Sequence, residues 1–72
     1  MSRISVLSSH AMQALHRSSI PALRRLSVEE SETSVRITGS VSSYYLKQLA
    51  QETVMPVLRD RELQNQVEVV VP

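Results

Sequence analysis

Cysteine, tryptophan and phenylalanine are all missing from this 72-residue chain, and glycine occurs once, at position 39. Without cysteine there is neither a disulfide framework nor a thiolate metal site. Without large aromatics other than Tyr44 and Tyr45, the core must be filled by Leu, Ile, Val and Met. A single glycine excludes a phosphate-cradling glycine loop, which needs several. No run approaches the ~20 apolar residues of a membrane-spanning helix. Arg3, Ser5, Ser8, Ser9 and His10 interrupt the N-terminal stretch, so it lacks the roughly 7–15-residue apolar core of a secretory signal. The same stretch is Arg- and Ser-rich and free of acid, as mitochondrial transit peptides are, but its apolar stripe assigns it to the first helix of the fold. The expected location is therefore cytoplasmic or peripheral to a membrane, and periplasmic only if Met1 is not the native start.

Acid is also absent from the first 28 residues, which hold Arg3, Arg17, Arg24 and Arg25. From position 29 onward, seven acids face Arg36, Lys47, Arg59 and Arg61, so a net charge of +1 conceals a basic first part and an acidic remainder. This polarity suits an anionic surface meeting the basic end, or head-to-tail contact with a second copy. At this length the chain is one domain, burying about 60% of its unfolded surface.

Ser2 can cap a first helix running to His16 or Arg17, with Ile4, Leu7, Ala11 and Leu15 on one stripe. Pro21 is expected to stop any helix and hold Ile20 extended. A first strand then starts at Leu23 or Arg24 and ends at Glu29, with Leu26 and Val28 inward. The polar stretch from Glu30 to Thr33 lacks tight-turn residues and reads as a loose connection. From Ser34 to Ser40 the alternation is strict: Val35, Ile37, Gly39 and Val41 face one way, Arg36, Thr38 and Ser40 the other. Gly39 marks a bulge or a close approach, here by the first helix.

Ser42 or Ser43 caps a second helix whose face is Leu46, Leu49, Ala50, Thr53, Val54 and Val57. Pro56 must kink that helix or end it early. Asn65 is expected to bond the backbone at the entrance of a last strand, Gln66 to Val71, with Val67, Val69 and Val71 on one face. Together these elements predict a small α+β domain covering residues 1–72.

With this layout in place, the chain resembles the BON domain, named for bacterial OsmY and nodulation proteins. The resemblance rests on Val-Arg-Ile-Thr-Gly-Ser-Val-Ser-Ser at 35–43, on Lys47 and Ala50, and on Leu63-Gln64-Asn65-Gln66-Val67-Glu68-Val69. Gly39, Val41, Ser43, Lys47, Ala50, Asn65, Val67 and Val69 fall in register without gaps. The match covers about residues 23–71. It implies an α-β-β-α-β sandwich, two helices on one face of a three-stranded mixed sheet, and a non-enzymatic module that binds phospholipid surfaces or envelope partners. The chain departs from the pattern at Glu30-Ser31-Glu32-Thr33, where an Asp-Gly turn is usual, and at Arg59-Asp60, where Gly-Val is usual.

Sites of chemistry are hard to build from these residues. His10 and His16 lie about 240° apart on a helix and cannot share a metal from one face. Glu29, Glu30 and Glu32 lack the alternating ligands and glycine turn of a calcium loop. No serine sits in a Gly-x-Ser-x-Gly elbow, and Asp60 is the lone aspartate. No catalytic, metal or cofactor site and no small-molecule substrate is expected.

The remaining candidates are contact residues: Arg3, Arg17, Arg24 and Arg25 for lipid phosphates, aided by Tyr44 and Tyr45, which open the second helix beside Lys47. At about 1 kcal/mol per basic residue near an anionic leaflet, four arginines supply only about millimolar affinity, so a second signal is needed. The acidic remainder argues against nucleic acid. The alternative partner is a protein, or a second copy joined through the edge from Gln66 to Val71 or the stripe of the first helix.

Overall fold

The structure is a computed structural model and describes residues 9–72. Ser2, Arg3, Ile4 and Leu7, assigned above to the start of the first helix, lie outside those residues. Helix α1 (Ser9–His16) carries Ala11 and Leu15 into the core and leaves His10 and His16 exposed.

Pro21 does not end helical structure; it opens a short helix, α2 (Pro21–Arg24). Ile20 before it is extended, at φ −98° and ψ 114°, as the proline ring requires. Proline is suited to the first helical position because its fixed φ is already helical and its missing N–H has no partner there. The first strand consequently starts later than expected: β1 is Ser27–Glu30, and Leu23 and Leu26 reach the core from the helical turn and the link after it.

The hairpin from β1 to β2 (Ser34–Thr38) is ordered by a serine in place of glycine. Ser31 Oγ accepts from the N–H of Thr33 (3.2 Å) and of Ser34 (3.0 Å), and its own N–H donates to Ser34 O. Glu30 belongs to the strand, opposite Val35. The antiparallel pair β1–β2 is joined on its other side by β4 (Glu62–Asn65), parallel to β2, so the sheet is mixed and three-stranded in the order β1-β2-β4. Beyond breaks in each strand, β3 (Ser40–Val41) pairs in parallel with β5 (Glu68–Val69).

Gly39 makes the first break. Its φ is +129°, and a Cβ there would stand 2.7 Å from Leu26 Cδ2. The close approach is thus by Leu26, in the link that leads into β1, not by the first helix. The last strand departs most from expectation: it begins at Glu62, breaks at Gln66 and Val67, and ends at Val69, leaving Val71 exposed. Even-numbered residues nevertheless keep the ladder going, with the N–H groups of Gln66, Glu68 and Val70 donating to Ile37, Gly39 and Val41.

Helix α3 (Tyr44–Val54) is capped by Ser43, which is extended and accepts from Leu46 N–H at 3.3 Å. Pro56 ends it early: a 3₁₀ turn, Met55–Val57, follows Val54. Val35, Ile37 and Val41 of the sheet meet Ala11, Leu15, Ala50 and Val54 of the helices in one core, joined by Leu23, Leu26 and Val67. The opposite sheet face carries Glu29 and Arg36 paired at 3.1 Å, both exposed. The α+β class and the three-stranded mixed sheet follow the expected plan.

Candidate contact surface

Both parallel strand pairs run toward one end of the molecule, where Val41 and Val70 meet and α3 begins. Two open clefts lie there. The first is lined by Ala22, Arg25, Ser40, Val41, Ser42 and Val70, the second by Tyr44, Lys47, Gln48, Gln51 and Asn65. Tyr44 and Tyr45 are 74% and 69% exposed, an unusual state for the chain's only aromatics. They open α3 just after Ser43, and Tyr44 lines the second cleft beside Lys47, while Ser42 lines the first with Arg25.

Arg24 Nη1 donates to the carbonyl of Ser18 at 2.9 Å, which brings its guanidinium beside the turn containing Arg17. Arg17, Arg24 and Arg25 are all exposed, and the α1–α2 corner gathers them. Of the expected contact residues, Arg17, Arg24 and Arg25 lie on this corner, Tyr44 and Lys47 line the second cleft, and Tyr45 is exposed next to Tyr44 on α3. Arg3 lies outside the described residues. Val41 and Ala50 are core residues, and Gly39 lets the strand turn under Leu26.

Asn65 supports the second cleft from below. Its Nδ2 donates to Lys47 O at 2.9 Å, and its Oδ1 accepts from Val67 N–H at 3.2 Å, so one side chain ties α3 to the strand break. It does bond backbone, but at the end of β4 and not at the entrance of the last strand.

Acid collects at the other end, around the hairpin, with Glu30, Glu32, Asp60, Glu62 and, near the end of α3, Glu52. Glu68 is the exception, lying opposite Ser40 on the exposed sheet face. An ion pair that sequence reading missed lies at the acidic end. The Glu30 side chain is only 2% exposed and bonds Arg61 Nη1; the residue's remaining exposure belongs to its main chain. Arg61 also donates from Nε to Leu58 O at 2.8 Å and from Nη2 to Val57 O at 2.9 Å. It thereby staples the 3₁₀ turn to the hairpin. Strand period was the available signal, since it places Glu30 on the same face as Val28.

Among the described residues no group of three His, Asp or Glu is placed to hold a metal ion, and no helix is long and apolar enough to cross a membrane. Comparison of the chain with protein-family models, curated proteins and solved structures finds no match.

Proposed function

We propose that this chain is a non-enzymatic contact module that docks on anionic phospholipid surfaces with the end carrying Arg17, Arg24, Arg25, Tyr44, Tyr45 and Lys47. The observation that carries this reading is the exposure of both tyrosines at the start of α3, where Tyr44 shares a cleft with Lys47 and a neighbouring cleft presents Arg25. Exposed arginines alone give weak attachment, worth about 1 kcal/mol each. Tyrosine adds the second signal, because its ring favours the lipid interface while its hydroxyl stays wet. The acidic hairpin end would then face away from the membrane, so the charge polarity orients the domain as well as attracting it. The resemblance to the BON pattern at 35–43 and 63–69 agrees with this reading.

Flotation with vesicles of phosphatidylglycerol and phosphatidylcholine tests the assignment. Replacing Arg24→Glu and Arg25→Glu together should abolish flotation, and Tyr44→Ser with Tyr45→Ser should weaken it several-fold at equal charge. Undiminished flotation of the double arginine variant would refute the proposed surface.

A further inference from the structure

Among the described residues nothing pairs with the strand edge at β5, which is apolar and exposed, and its chemistry selects a partner. In the parallel ladder, the even-numbered residues Gln66, Glu68 and Val70 turn their N–H groups toward β2 and β3. The odd-numbered Val67, Val69 and Val71 therefore direct their main-chain groups outward. The N–H of Val67 is already taken by Asn65 Oδ1. That leaves Val69 and Val71 as the usable edge. Val70 and Val71 are 56% and 72% exposed, at an edge that most proteins cover or charge.

We propose that this edge pairs with the same edge of a second copy, antiparallel, about a two-fold axis at Val70. This register avoids the obstacles that registers further back along the strand meet. An axis at Glu68 sets two carboxylates opposite each other, and an axis at Asn65 sets Glu62 against Glu68. An axis at Val67 or Val69 calls on the Val67 N–H, which Asn65 holds. An axis at Val70 needs only Val69 and Val71, whose N–H and C=O groups exchange hydrogen bonds with Val71 and Val69 of the other copy. Val70 then faces its equivalent in a close, non-hydrogen-bonded pair. Glu68 then lies opposite Pro72, so no two carboxylates face each other in this register. The contact is isologous and closes at two copies, and it joins two three-stranded sheets with their helices on the same face.

The contact is short, below the ~1,200 Å² of a standard stable interface, so the dimer is weak and concentration-dependent. Its effect would matter most where copies are held close together, as on a surface. The apolar stripe of the first helix is not an alternative as far as it is described, because Ala11 and Leu15 are already buried in the core.

The chain has no cysteine, so one introduced thiol reports the geometry without interference. Paired Cα atoms at an axis on residue 70 stand about 4.5 Å apart, within the span a disulfide bridges. Val70→Cys should oxidise to a covalent dimer at least ten-fold faster than Gln66→Cys, which is also exposed but has no facing equivalent. Sedimentation of the unmodified chain without lipid should show an 8.1 kDa species growing toward twice that mass as concentration rises, and Val70→Lys should remove the growth while leaving the circular dichroism unchanged. Equal oxidation rates for the two cysteine variants, or a single 8.1 kDa species at millimolar concentration, would overturn the proposal. Neither readout depends on lipid, so failure here is separate from failure of the membrane reading.

Discussion

At position 39 two constraints coincide: a φ of +129° and a neighbouring methyl that an added Cβ would meet at 2.7 Å. Side chains other than hydrogen rarely adopt that φ, and Leu26 is buried and cannot easily withdraw. Gly39→Ala should therefore destabilise the fold by about 1–3 kcal/mol, read as a lower urea midpoint at unchanged slope. The Glu30–Arg61 pair sets a second residue-scale test. Removing Arg61 alone leaves a buried carboxylate without its cation, an effect of about 3–5 kcal/mol in comparable cases. Replacing both, Glu30→Leu with Arg61→Met, should cost much less, because no charge is then stranded. Thermal melts of the native chain and the two variants decide it: the single Arg61→Met should be the least stable. This pair was hidden from the sequence because its members lie 31 positions apart.

Among the elements, those set by local rules were the legible ones. The period-2 run from Ser34 to Thr38 and the serine cap at Ser43 appear as the sequence implied, because alternation and capping act within a few residues, whereas Gly39 breaks the strand expected to continue through Ser40. Ser43→Ala should lower stability by about 1 kcal/mol, measured by the same urea titration. Elements decided by tertiary partners were less legible. Pro21 reads equally as a stop or as a first helical residue, and the Ser18 hydroxyl accepting from Ile20 N–H helps set the second outcome. In the last strand, Glu62 and Gln64 carried no strong strand propensity, and pairing with β2 recruited them. Asn65 marks where that pairing breaks. Asn65→Ala leaves Lys47 O and Val67 N–H without their partner and should destabilise by about 1–3 kcal/mol. Asn65→Asp, which keeps only the acceptor, should fall between alanine and the native residue.

Taken whole, the molecule is polar in charge and uneven in covering. Its basic corner and exposed tyrosines share the end where α3 begins, and its acids gather around the hairpin apart from Glu68. The basic corner was legible in the sequence, since Arg17, Arg24 and Arg25 flank one proline. The two clefts were not, because Arg25 meets Ser40 and Val70 only after the sheet has formed.

Co-sedimentation with anionic and with zwitterionic vesicles, at low and at physiological salt, tests the membrane reading most directly. Screening shortens the reach of exposed charges to about 8 Å at physiological ionic strength. The account predicts binding to anionic vesicles alone, falling steeply but not to zero as salt rises, since the tyrosine contribution is not screened. Equal binding to both vesicle types, or none to anionic vesicles at low salt, would contradict it.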